Sequence, residues 1–222
     1  LNKISAKYNN TIYLKREDLQ PIFSFKCRGA YNKISSLSSI DTDKGIIAAS
    51  AGNHAQGVAL SASKLRIDAM IVMPTTTPSI KIESVKKFGV KVKLYGDSFD
   101  EAYEYALEVS NNEGRVFIHP FDDPLVIAGQ GTVAKEIVEQ SEEVPDIFFI
   151  PVGGGGLISG MSMYLKEHYP NTKVYGVESE DAPTLFTSLR NGKPTSLDQV
   201  GLFVDGCAVK RIGEETFRIS KK

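Results

Sequence analysis

Short β-branched runs alternate with segments of helical period along this chain, and that alternation most constrains its fold. The runs are "TIYLKRE" from Thr11, "GIIAAS" from Gly45, "DAMIVMP" from Asp68, "VKVKLYG" from Val90, "VFIHP" from Val116, "DIFFIPV" from Asp146 and "KVYGVES" from Lys173. The clearest helix begins after Ser98, where Phe99, Ala102, Tyr103, Ala106 and Val109 recur at steps of three and four. Ser98 with Glu101 reads as a capping box. A second helix is predicted from Pro78, a favoured first helical residue, to Lys87, with Phe88 ahead of Gly89 as its stop. Such alternation builds a parallel sheet with helices on both faces, an α/β fold. No internal repeat or low-complexity linker is visible, so any second domain has to be inserted rather than appended.

Composition removes several function classes. The 222 residues carry a formal net charge of -1 and 41% hydrophobic content, an ordinary globular profile. No Lys/Arg run exceeds two residues, so nucleic acid is not an expected partner. The apolar stretches are strand-sized, which predicts no membrane span. The opening "LNKISAKYNN" has no signal-peptide core. Cys27 and Cys207 match no metal spacing, and a reducing, cytosol-like compartment is the simplest reading.

In sheets of this kind ligands bind beyond the carboxyl ends of the strands. Two loops there stand out. After "GIIAAS" comes "SAGNHAQG", Ser50 to Gly57, which crowds Ser50, Asn53, His54 and Gln56 where a helix starts near Asn53. Taken alone, the cluster reads first as a capped helix start, with Ser50 or Asn53 as cap, and only second as a ligand site. After "DIFFIPV" comes "GGGGLISG", Gly153 to Gly160. Four consecutive glycines are entropically costly and imply that backbone must approach something closely. A run of N–H groups entering a helix suits phosphate. Neither the dinucleotide fingerprint nor the P-loop spacing is present, so this is a phosphate cradle of another kind.

Lys26 then acquires a reason. It lies in "SFKCRGA" directly after Phe25. A phosphate cradle, a polar loop and a lysine beside an aromatic ring suit pyridoxal 5'-phosphate, which offers a phosphate, an aromatic ring and an aldehyde that a lysine can capture.

Taken in order, "KREDLQPIFSFKCRGAYNKI", "SAGNHAQG", "VMPTTTP", "AGQGT" and "PVGGGGLISG" resemble the threonine dehydratase branch of the fold type II (β-family) pyridoxal-phosphate enzymes, the tryptophan synthase β-like class. The run "VGLFVDGCAVKRIGEETF", Val200 to Phe217, is similar to the biosynthetic members. The resemblance covers essentially the whole chain. It implies that Lys26 binds the cofactor covalently and acts as the base, that Phe25 packs against its ring and that Asn53 bonds its phenolic oxygen. It implies that Gly153, Gly154, Gly155, Gly156 and Leu157 hold the phosphate. Ser50, Ala51, Gly52, Asn53 and His54 would bind the substrate carboxylate. The implied reaction is dehydration and deamination of L-threonine, and of L-serine, to 2-oxobutanoate or pyruvate and ammonia, the first step of isoleucine biosynthesis.

The same resemblance implies a large domain from 1–47 and 126–222, an inserted small α/β domain at 48–125, no metal, and a cytoplasmic or organellar homo-oligomer, dimer or tetramer, at full length. It also implies that the chain is cut at both ends. The missing downstream part would carry the Ser or Cys that bonds the pyridine nitrogen, so the chain alone is expected to bind the cofactor weakly and turn over little. Gly129 and Gly131 in "AGQGT" are read as packing glycines. A serine racemase or serine dehydratase of the same fold is the first alternative. Racemases of this type resemble the loop but place a serine where Ala51 stands. They also carry a glutamate upstream of the "DG" pair, where this chain has no carboxylate before Asp205. A non-catalytic cofactor-binding fragment is the second alternative. His54, His119 and His168 are scattered and read as structural, and Cys27 as a packing residue.

Overall fold

The computed structural model describes residues 1–201 and 203–222; Leu202, inside the Val200–Phe217 run, lies outside the described residues. Helix α1 (Asn2–Tyr8) is followed by an extended stretch and a 3-10 turn at Glu17–Leu19. Helices α2 (Lys26–Ser35) and α3 (Ser39–Lys44) then lead into β1 (Ile46–Ala49). Next come α4 (Asn53–Leu65), β2 (Ala69–Met73), α5 (Ser79–Lys86), β3 (Lys91–Leu94), α6 (Phe99–Glu113) and β4 (Val116–Phe117). After α7 (Pro124–Gln140) follow β5 (Ile147–Pro151), α8 (Gly156–His168), β6 (Lys173–Val177), α9 (Thr184–Asn191), a 3-10 turn at Asp205–Cys207 and α10 (Glu214–Ser220).

These strands all pair in parallel. One sheet runs β3-β2-β1-β4 and the other is β5-β6. β1, "IIAA", is buried along its length because both faces are covered. Ile46, Ala48, Ile71 and Met73 meet Ala55, Val58, Ala59 and Ala62 of α4. On the other face Ile47, Ala49 and Val72 meet Ala102, Ala106 and Val109 of α6. Period two in the strands and three-to-four in the helices together produce these layers. In the second sheet Phe148 and Ile150 turn into a core with α7 and α8. Ile147 and Phe149, one residue out of phase, remain exposed.

The local signals hold where they are short-range. Ser98 and Glu101 form the reciprocal capping box of α6, and Gly89 at φ 79 ends the turn after α5. Three readings need correction. Thr11–Glu17 joins no sheet: Ile12 gives its N–H to Ser5 Oγ at 3.0 Å, and Lys15 reaches Glu136 and Gln140 of α7 at 2.8 Å each. β-propensity without a neighbouring edge does not make a strand. Pro78 caps α5 with extended ψ rather than starting it. Phe99, placed by period on the buried face of α6, is 48% exposed at the first position of the helix, where its ring lies 5.8 Å from that of Tyr103. Among the described residues no helix is long and apolar enough to cross a membrane, and no cluster of His, Cys, Asp or Glu could hold a metal.

Candidate active site

Lys26 opens α2, and α2 is clamped between α4 and α7 by backbone contacts that only glycine allows. A Cβ at Gly57 of α4 would stand 2.9 Å from the Lys26 carbonyl oxygen, and one at Gly129 of α7 2.7 Å from that of Arg28. A Cβ at Gly131 would stand 2.8 Å from the Gly160 carbonyl oxygen of α8. The glycines of "AGQGT" are therefore contact points between helices. Gln130 between them is buried and accepts the Gly29 N–H at 3.2 Å.

A polar anchor fixes the same helix from its outer side. The Arg28 guanidinium forks onto both oxygens of Glu17, at 2.8 Å each, and of Glu136, at 2.7 Å each. Bonding to Arg28, with help from Lys15, holds the Glu136 carboxyl down at about 2. Arg28 keeps only 10% side-chain exposure, so removing it strands Glu17, itself 14% exposed. Arg28→Met is expected to cost about 3 kcal/mol, the low end for a broken buried pair because Glu136 is partly solvated. Thermal unfolding at neutral pH should show a fall of roughly 6–12 °C for a chain of this size. A loss under about 1 kcal/mol would mean that the network behaves as an exposed one.

The Lys26 amine has an unusual environment for an ammonium. It donates to the Pro120 carbonyl at 2.7 Å and lies 5.6 Å from the centre of the Phe25 ring. Among the described residues it forms no ion pair with a carboxylate. Burial lowers its pKa to about 8, with the nearby Cys207 thiol opposing. At neutral pH about a tenth of such an amine is free base, on the order of three-hundred-fold more than for an ordinary lysine. That is the state a nucleophile or proton acceptor needs. Cys27, in contrast, packs with its Sγ 3.5 Å from the Ser24 carbonyl, and burial pushes its thiol pKa up.

The Ser50–His54 turn leads from β1 into α4. Ser50 Oγ accepts the Gly52 N–H at 3.2 Å, and Gly52 is the N-cap without any side-chain cap bond. Neither Ser50 nor Asn53 caps the helix, which corrects that reading. Asn53 is the first helical residue and is exposed. The N–H groups of Ala51, Asn53 and His54 find no acceptor among the described residues. The His54 ring is committed elsewhere: buried, it bonds the Ile118 carbonyl through Nε2 at 2.8 Å. Burial, reinforced by Lys26, holds its pKa at about 3, so the ring is neutral and donates. Its backbone N–H remains for a ligand.

The glycine run forms a backbone cradle. Gly155 is the N-cap of α8 at φ 90, a left-handed conformation that disfavours side chains. A Cβ on Gly154 would fall 2.3 Å from the Phe121 ring, and one on Gly155 2.9 Å from Thr216. Among the described residues none of the N–H groups of Gly153–Leu157 has a protein acceptor. Unsatisfied donors at a helix N-terminus, kept bare by neighbours that exclude a Cβ, fit a phosphate group. The residues after β4 join the parts together. Ile118 meets His54, Pro120 meets Lys26, and Phe121 lies on Gly154. Sequence reasoning missed this segment and the Arg28 anchor, which have no local pattern.

The whole chain, residues 1–222, matches the family model described as "Pyridoxal-phosphate dependent enzyme". A biosynthetic L-threonine dehydratase of Pasteurella multocida is 53% identical over 99% of this chain, which spans 43% of that protein. The mitochondrial threonine dehydratase of Saccharomyces cerevisiae is 52% identical over 99% of this chain and 38% of its own length. Among solved structures, the processed form of threonine deaminase isoform 2 from Solanum lycopersicum superposes with a TM-score of 0.96 at 51% identity, covering 99% of this chain and 60% of that one. Maize serine racemase superposes at 0.95 with 33% identity, covering 100% and 67%. The chain thus spans less than half the length of these two dehydratases.

Proposed function

The chain belongs to the pyridoxal-phosphate dependent enzyme family, with the fold type II architecture, and from that premise we propose that it carries the site for dehydrating and deaminating L-threonine, with L-serine as a second substrate. The observation that carries the reading is the Lys26 amine, partly buried with no acidic partner among the described residues and bonded to the segment that lies on the glycine cradle. Dehydratases at half identity over nearly the whole chain support threonine as substrate.

Each group has a task. The N–H groups of Gly153, Gly154, Gly155, Gly156 and Leu157 would hold the cofactor phosphate, Phe25 would flank its ring and Asn53 would bond its phenolic oxygen. The N–H groups of the Ser50–His54 turn would hold the substrate carboxylate, with Ala51 and Gly52 leaving room for it. The cofactor, when bound, supplies an electron sink for negative charge developing at the substrate Cα. Lys26 Nζ would take the Cα proton, and its pKa, lowered to about 8, leaves about a tenth of the amine free for that task at neutral pH. The β-hydroxyl would leave as water, and uptake of one water at Cα would then release ammonia and give 2-oxobutanoate, the first step of isoleucine biosynthesis.

The inserted arrangement fits the two sheets, with the small unit at 48–125 and the large one at 1–47 and 126–222; the first cut falls within β1. Both cysteines are free, which suits the cytoplasm or an organellar stroma or matrix.

The test supplies pyridoxal phosphate with threonine or serine and follows keto-acid, ammonia and the chirality of residual substrate. With no hydroxyl at Ala51, elimination without racemisation is expected. D-serine accumulating as fast as ammonia would favour the racemase reading instead.

A further inference from the structure

Within a few residues, the chain leaving β4 touches every part of the site, and its geometry turns on His119. The His119 Nδ1 accepts the backbone N–H groups of Phe121 at 3.2 Å and Asp122 at 2.7 Å. Only an unprotonated Nδ1 can do so, which places the ring proton on Nε2. These two N–H groups have no other acceptor among the described residues. The ring is packed edge-on against Phe121, Phe117 and Tyr103, with centroids at 4.8, 6.2 and 6.3 Å. Burial lowers its pKa to about 4; Asp122 and Asp123 oppose the shift and Lys26 adds to it.

The Phe121 N–H and the Pro120 carbonyl are opposite ends of one rigid peptide plane. Nδ1 holds one end, and the Lys26 amine meets the other at 2.7 Å. The Asp122 carboxylate, just beyond, accepts the N–H groups of Glu214, Glu215 and Thr216 at 3.0, 2.9 and 3.1 Å and so ties the turn to α10.

We propose that His119 is a positioning residue for Lys26: by closing the 119–122 turn on Nδ1 it orients the Pro120–Phe121 peptide, aiming the Pro120 carbonyl at the amine and the Phe121 ring at the glycine cradle. The titratable groups facing the amine are Cys207, His54 and His119, and both histidines are neutral in the working range. Replacing His119 therefore removes no charge, and any change in the lysine comes from its position. The proposal rests on the reading of Lys26 as the reactive lysine.

The test is competitive labelling of cofactor-free protein with trace acetic anhydride across neutral and alkaline pH, reading Lys26 by peptide mass. The parent chain should label with a midpoint of about 8. In His119→Asn, Oδ1 takes the place of Nδ1, and the midpoint should stay. In His119→Leu the acceptor is gone and the peptide no longer holds the amine, so the midpoint should move by about one unit or more, upward where the amine reaches water and downward where it stays buried without the Pro120 carbonyl. An unchanged midpoint in the leucine variant overturns the proposal, as does an asparagine variant that titrates like an ordinary lysine. Should the leucine variant fail to fold, His119→Asn decides alone, with a retained midpoint supporting the role and a shifted one overturning it. Labelling needs neither cofactor nor substrate, so absent threonine turnover would count against the functional reading and leave this measurement intact.

Discussion

Lys26→Ala is expected to abolish covalent retention of pyridoxal phosphate and to lower threonine turnover by at least about four orders of magnitude. On the proposed reading two tasks fall on one nitrogen, holding the cofactor and taking the Cα proton, and both would end together. After incubation with cofactor and reduction with borohydride, the parent protein should gain pyridoxyl mass on the peptide containing residue 26, and the variant should not. Label on a different lysine, with Lys26 untouched, would sink the assignment. The structure favours Lys26 over surface lysines such as Lys81, Lys86 and Lys91, which pair with Asp205, Glu83 and Asp68. Burial brings the Lys26 amine, which has no carboxylate partner among the described residues, down to about 8.

Much of this is legible in the sequence, for a reason that also marks where legibility stops. β1, β2, β5 and β6 and the helix after Ser98 announce themselves through short-range chemistry: β-branching, a capping pair, a glycine after the last turn. The run from Gly153 can be read because glycines in succession have few uses. The strand expected from Thr11 fails because pairing depends on a neighbour that the local sequence does not specify. The partners of the key groups are equally hidden. The Lys26 amine bonds a carbonyl 94 residues away, and Arg28 bonds Glu136 at a separation of 108. Backbone carbonyls carry no residue identity, so nothing in "IHPF" shows that Pro120 receives the lysine or that His119 braces it. The Ser50–His54 turn mimics a capped helix start because Ser50 and Asn53 are residue types that suit capping and ligand binding alike.

The same substitution at two glycines should separate fold from site. At Gly160 a Cβ would stand 2.2 Å from the Ile127 carbonyl oxygen and 2.6 Å from the Gly131 nitrogen. Both are helix backbone, so α7 and α8 have to move apart, and with them the cradle that α8 begins. Gly160→Ala is expected to lose about 3 kcal/mol net, even though alanine favours the helix by about 1 kcal/mol. For this chain length the unfolding midpoint should fall by roughly 6–12 °C. Gly52 stands in open space, with nothing within 4 Å of where a Cβ would sit and an extended φ of -123. Gly52→Ala should therefore unfold within about 1 °C of the parent, since no packing or φ cost arises. If the Ser50–His54 turn receives the substrate carboxylate, the added methyl group intrudes on the ligand. Threonine titrated against the absorbance of cofactor-loaded protein should then bind at least about tenfold more weakly, some 1.4 kcal/mol. An unmoved unfolding midpoint at Gly160 would refute the close helix contact. Parent-like threonine binding at Gly52 would remove the turn from the substrate site and leave the glycine cradle and Lys26 to account for recognition.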